Sequence, residues 1–376
     1  MHLSRFDYDF PEELVAQRPL PERSASRLMV VDPVQASWAH KKFLDIVDYF
    51  GPEDLLVFNN AKVIPSRLYG QTQQGRTVEV LLLQQRTADT WNCLVRPANK
   101  LASDTLLDFD GSLQGQLRGE REQWTIQFGH LMGKHRGLPL QDIIAAVGLP
   151  PLPPYIKRDE PFAEKAQDIA RYQTVYASQV GSAAAPTAGF HFTEAIKQQL
   201  KERGCELAYV TLHVGRDTFQ PVRTQDITQH KMHGESYHLS DVVAAQIARA
   251  KQAGRRVTAV GTTTLRVLES ALDSVGARCP RPNAGSSRPG EGTSPLQAGD
   301  GYTEKFIYPG YRFKVVDRLL TNFHQPKSTL LMLVAAFAGR EFILSAYQEA
   351  IEKKYRLFSF GDAMLIVSRE IRSHKR

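Results

Sequence analysis

The sequence predicts an α/β main domain joined to a small all-β module, and three observations carry that expectation. The chain has 376 residues, more than the roughly 250–300 at which a single hydrophobic core stops growing, so two domains are expected. Between residues 70 and 128, short apolar runs alternate with polar turns. From residue 193 onward, helix-like and strand-like segments alternate, the pattern of an α/β domain.

Each element has a local reason. The apolar run 55–58 ends at Asn59 and Asn60 and reads as a buried strand feeding a loop. Beyond Arg67 come the stretches 77–83, 91–95, 105–109 and 124–128, separated by turn signals such as Asp110-Gly111 and Arg118-Gly119. That spacing fits a barrel or a sandwich. Residues 149–154 hold four prolines, which can continue neither a helix nor a central strand, and mark the exit from this module. Thr193 can cap a helix over 194–203, ended by Gly204, and a strand over 206–214 follows. Ser240 can cap a helix over 241–253 before a strand at 257–260. A further helix starts within 261–264 and runs to Ala271. Residues 276–301 are rich in Gly, Pro and Ser and predict a flexible loop, since they cannot bury enough apolar surface to offset their ordering entropy. Helices are expected over 327–338 and 341–354, and a last strand over 363–367.

Composition sets limits on function. Hydrophobic residues make up 42% and charged residues 23% of the chain, enough for a sizeable core. The net charge of +7 raises the local concentration of polyanions without identifying one. Cys93, Cys205 and Cys279 are far apart, so neither a disulfide framework nor a zinc knuckle is supported. There is no apolar signal segment at Met1, and the longest apolar run, 330–338, is too short to span a bilayer. A cytoplasmic protein is expected.

Several segments could carry chemistry. No P-loop and no H-E-x-x-H motif occurs. His230, His233 and His238 could bind a metal, but no cysteine or second spaced pair accompanies them, so an exposed polar loop is the better reading. The loop 181–193 is built from small residues and holds Pro186, Thr187, Gly189 and His191 before a helix cap. A tight packing loop and a ligand loop both fit it. The run Gly261-Thr262-Thr263-Thr264 places hydroxyls between a strand and a helix, and Arg266 and Glu269 share one helix face. Either a ligand site or a cap with a surface ion pair would explain this. The loop 321–329 combines Asn322, His324, Lys327 and Ser328. His213 lies at a strand end, a favoured ligand position. Asp362, in the turn 358–364, fits a plain turn residue better than an acid.

These segments, in this order, resemble the S-adenosylmethionine:tRNA ribosyltransferase-isomerases of queuosine biosynthesis. The pieces are Phe58-Asn59-Asn60 with 62–65, Leu152-Pro153-Pro154-Tyr155-Ile156, Tyr172-Gln173-Thr174-Val175-Tyr176 and the loop 186–193. They continue with 213–219, Met232-His233-Gly234-Glu235, 261–270, 306–310, 321–329 and 358–364. No one of them is decisive, but the ordered set is specific. The resemblance implies an α/β main domain, layered around a mixed sheet, with an inserted small β-barrel. Residues 1–67 and 150–376 would then form the main domain and 68–149 the barrel.

The resemblance also implies an activity: transfer and isomerisation of the ribosyl part of S-adenosylmethionine onto 7-aminomethyl-7-deazaguanine at the tRNA wobble position. Epoxyqueuosine forms, and adenine and methionine leave. S-adenosylmethionine is then a co-substrate, with no prosthetic group and no metal, and the partner is a tRNA with a GUN anticodon stem-loop. A monomer is expected. His191 is the first candidate for proton transfer, with Glu235, His324 and Asp362 behind it. Substrate contacts are expected from Tyr176, Pro186, Thr187, Gly189, His213, Thr262, Thr263, Arg266, Glu269, Asn322, Lys327 and Ser328. The chain departs from the family pattern at Asp217, where Gly is usual, and at Ser24, where Asp is usual. Two other classes compete: a methyltransferase, which lacks its Gly-rich loop here, and a non-catalytic RNA-binding module, whose interleaved aromatic and basic residues are not visible.

Overall fold

The computed structural model describes residues 1–111, 113–120, 123–131, 138–160, 162–215, 222, 224–232, 234–271 and 296–368. The chain begins with strands β1 (Arg27–Asp32) and β2 (Ser37–Lys42), followed by β3 (Asp54–Asn59) and the short β4 (Ala61–Val63). Six strands then form a closed barrel: β5 (Arg67–Gln71), β6 (Thr77–Gln85), β7 (Thr90–Arg96), β8 (Leu106–Phe109), β9 (Leu113–Glu120) and β10 (Gln123–Leu131). Helices α1 (Leu140–Val147) and α2 (Lys165–Arg171) lead to β11 (Gln179–Ser182), α3 (Glu194–Glu202) and β12 (Glu206–Leu212). Next come β13 (Glu235–Leu239), α4 (Asp241–Gln252), β14 (Arg256–Val260), α5 (Thr262–Ser270) and β15 (Gly299–Thr303). The chain closes with β16 (Arg318–Asn322), α6 (Thr329–Ala338), α7 (Arg340–Glu352) and β17 (Ala363–Ile366).

Nine strands make one mixed sheet in the order β15-β13-β12-β3-β14-β16-β17-β1-β2. Its centre, β12-β3-β14-β16, is parallel throughout. Every residue of β3 is buried, as a strand covered on both faces must be. Its side chains alternate between two cores. Leu55 and Val57 join one with α4 to α7, while Leu56 and Phe58 join another with Ile196 and Leu200 of α3. The expected α/β layering is therefore present, with helices on both faces of the sheet.

Of the two shapes open for the β module, the chain forms the barrel. Leu68, Val80, Trp91, Leu117 and Ile126 fill it, and Ile143 and Ile144 of α1 complete that core. Entry and exit lie side by side, since Arg67 and Leu149 exchange backbone hydrogen bonds of 3.0 and 2.8 Å. The capping expectations hold: Thr193 accepts from the Ile196 amide at 3.2 Å and Ser240 from the Val243 amide at 3.3 Å. The loop expected over 276–301 needs correction at its end, because residues 299–301 belong to β15 and pair with β13. Residues 272–295 lie outside the described residues, as do Asp217, His233 and Cys279. No single described helix is long and apolar enough to cross a membrane.

Candidate active site

The sheet topology places the candidate site. Parallel strands β14 and β16 are neighbours, so the loops after both leave the same edge of the sheet, where ligands of open α/β sheets bind. Gly261 makes the turn from β14 into α5 at φ 94°, a backbone conformation that a side chain resists. The loop after β16 brings Asn322, His324, Lys327 and Ser328, and the small-residue loop brings Pro186 and Thr187. Together with Thr262, Thr263, Arg266 and Glu235 they line a cavity of about 330 Å³, within the usual range for small-molecule sites.

The cavity's main charge is a buried pair. Arg266 Nη1 donates to Glu235 Oε2, and their side chains are 7% and 3% exposed. Glu235 Oε1 is held by the Gly215 amide at 2.9 Å. Nε and Nη2 of Arg266 are buried and find no partner among the described residues. Donors in that state cost free energy until an acceptor meets them, and a carboxylate matches the guanidinium fork. Of the three threonine hydroxyls, Thr264 is spent on Val260 O at 2.8 Å. Thr263 accepts from Asn59 Nδ2 at 3.3 Å and lines the cavity with Thr262.

Asn322 is the hub of a second network. Thr187 Oγ1 donates to its Oδ1 at 2.9 Å, and its Nδ2 donates to Phe358 O at 3.3 Å. Those two bonds fix the amide, so Nδ2 also donates to His191 Nε2 at 3.3 Å. The His191 proton must then sit on Nδ1, which donates to Ser26 Oγ at 2.7 Å. Burial, and then Arg23 and Arg356, lower the His191 pKa to about 3, so the ring is neutral near pH 7. His191 does not line the main cavity. It faces a small one of about 20 Å³ behind it, beside Arg23, Arg171 and Arg356. His324 does line the main cavity; burial takes its pKa to about 3, and its Nε2 bonds Thr321 Oγ1 at 2.7 Å.

Other expected residues lie elsewhere or are already engaged. Asp362 is 1% exposed, and its carboxylate accepts from the Arg27 amide and the Arg356 amide at 2.9 Å each, so it clamps the last turn to β1. Glu269 does not pair with Arg266. It accepts from the amides of Lys314, Val315 and Val316 at 2.9, 3.0 and 3.0 Å, locking that loop. Lys327 lines the cavity, yet its head pairs with Asp7 at 2.5 Å, and Ser328 is used as the cap of α6. His213 lines a different, larger cleft.

Tyr176 and Gly189 pack against each other away from the cavity: a Cβ on Gly189 would lie 2.0 Å from Tyr176 Oη. Gly189→Ala should therefore destabilise the fold by about 1–3 kcal/mol through overpacking. Urea unfolding checks this, and an unchanged midpoint would contradict it. The sequence assigned no role to Thr321, Tyr155 or Ser359, although all three line the cavity and Tyr155 Oη bonds Ser359 Oγ at 2.7 Å. Tyr155 and Ser359 sit in quoted motifs whose side chains carried no assigned role. Ser24, one of the two departures from the family pattern, is buried next to Arg23. Among the described residues there is no group of three His, Cys, Asp or Glu that could hold a metal.

A family model described as queuosine biosynthesis protein matches residues 3–366. The chain is also similar to the crystal structure of an S-adenosylmethionine tRNA ribosyltransferase from Thermotoga maritima. The two are 34% identical, with a TM-score of 0.51, over 96% of this chain and 100% of that one.

Proposed function

Because the chain belongs to the queuosine biosynthesis protein family, we propose that it is a transferase that moves and isomerises the ribosyl part of S-adenosylmethionine onto 7-aminomethyl-7-deazaguanine at the tRNA wobble position. The product is epoxyqueuosine in a tRNA of GUN anticodon, with adenine and methionine released. The enzyme works as a cytoplasmic monomer, and S-adenosylmethionine is consumed rather than retained as a cofactor.

The observation that carries the reading is the pair of buried, unpartnered nitrogens of Arg266 on the cavity wall. A buried guanidinium with two unpartnered nitrogens on a cavity of about 330 Å³ suits the methionine carboxylate of the donor. Thr262, Thr263 and Asn322 are placed for ribose hydroxyls. The sulfonium of the donor acidifies the C5′ protons, and a neutral base at the cavity can accept one. His324 fits that role better than His191, because it lines the cavity and His191 does not. His191 acts as a positioning residue, fixing the Asn322 amide through Nε2. Glu235 holds Arg266 in place.

The test is product analysis with S-adenosylmethionine and a tRNA carrying the precursor base. Release of adenine and methionine in equal amounts is expected. Formation of S-adenosylhomocysteine instead would make the chain a methyltransferase and end this reading.

A further inference from the structure

The donor cavity has a larger neighbour. A cleft of about 760 Å³ runs between the barrel and the main sheet. One wall is barrel, and Arg86, Asn92, Arg118, Trp91 and Trp124 contribute to it. The facing wall is the main domain, with His213, Gly215 and Tyr302. The two cavities share Val214 and Glu235, so one wall separates them, and the buried Glu235–Arg266 pair stands in it.

The chemistry of this cleft is specific. Arg86 and Arg118 are both exposed. Arg86 bonds the neutral Asn92 amide at 2.5 Å, and Arg118 faces Asp104 only across 3.6 Å of solvent-exposed surface. Among the described residues the one carboxylate lining the cleft, Glu235, is already neutralised by Arg266. Tyr302 is 64% exposed at the rim. Exposed cations for phosphates and an exposed aromatic face for a base suit a single-stranded nucleic acid. A duplex, which hides its base faces, would leave Tyr302 unused.

We infer that the cleft between barrel and main sheet is the chamber for the single-stranded RNA loop of the acceptor, and that donor and acceptor occupy adjacent chambers that meet at Glu235. The inference rests on the ribosyl-transfer reading. Arg86 and Arg118 hold the loop's phosphates, Tyr302 carries a base, and the base to be modified reaches the shared wall from the barrel side. The barrel is thereby a gripping element and not only an inserted ornament of the fold.

The experiment measures binding of an anticodon stem-loop bearing the precursor base at two salt concentrations, with donor binding followed separately by calorimetry. Arg86→Ala with Arg118→Ala should weaken RNA binding roughly tenfold or more and flatten the log–log salt slope by about 1.4, the value for two phosphates on a single strand. Tyr302→Ala should weaken it by roughly tenfold with no change in salt slope. A charge-matched pair outside the cleft, Lys41→Ala with Lys201→Ala, should bind nearly as wild type. Donor affinity should be the same in all of them. If the wild-type chain binds the RNA but the cleft variants bind no worse than the charge-matched pair, the cleft is not the RNA chamber. If the wild-type chain binds the donor and no RNA, the ribosyl-transfer reading falls and takes this inference with it.

Discussion

Glu235→Ala is expected to destabilise the protein by about 3–5 kcal/mol, the range measured when one member of a buried ion pair is removed. Both partners are almost fully buried, so the Arg266 guanidinium would be left without its counter-charge. The Gly215 amide would lose its acceptor as well. Replacing both charges with apolar side chains, Glu235→Leu with Arg266→Met, should recover most of that stability, since no charge is then stranded. The double variant should still fail to bind S-adenosylmethionine. Urea unfolding and calorimetry separate the two effects. If the double variant regains stability and also binds the donor like the wild type, Arg266 is not the carboxylate ligand. If Glu235→Ala unfolds at the wild-type midpoint, the pair contributes nothing to the fold.

Acid should destabilise the protein steeply. His191 and His324 protonate near pH 6.5 in an unfolded chain and near pH 3 in the fold, burial being the main cause for both. Between those values the unfolded chain binds two protons that the native one does not. Stability is therefore complete above pH 6.5 and falls as the pH drops toward 3. Each histidine contributes a slope of about 1.4 kcal/mol per pH unit, so the pair removes on the order of 4 kcal/mol between pH 6.5 and 5. Unfolding free energies measured across that window, for the wild type and for His191→Gln and His324→Gln, check the claim. Each single variant should lose about half of the slope. A pH-independent wild type would mean that the two rings are hydrated in the fold.

Much of the fold was legible because local and global signals agree. Thr193 and Ser240 each precede an amphipathic run, and each caps the helix expected there. The strands of the sheet centre are continuous apolar runs because both faces are covered. Strands β1 and β2 were not read. All six residues of β2 are exposed, so no buried face marks its Ser-Trp-Ala-His-Lys-Lys sequence as a strand. In β9, two glycines interrupt the alternation that would otherwise mark a barrel strand.

The candidate site was legible as loops and only in part as side chains. Loops at strand ends with hydroxyls, Asn and His could be found by composition, and they do converge on one cavity. Partnership across the chain could not. Spacing along the helix joined Arg266 to Glu269, whereas its partner is Glu235, 31 positions away in sequence. Glu269 instead serves three backbone amides that no local pattern reveals. His191 sits in the expected loop, yet it turns away from the cavity and fixes Asn322 from behind. Asp362 is a clamp because its carboxylate meets two amides brought together by tertiary folding.

The fate of label in the donor tests the central claim most directly. S-adenosylmethionine labelled in its ribose carbons, and separately in its methyl group, is incubated with the enzyme and precursor tRNA. The account predicts ribose label on the tRNA and methyl label released in free methionine. Methyl label on the tRNA, with the ribose label remaining in a soluble nucleoside, would contradict it.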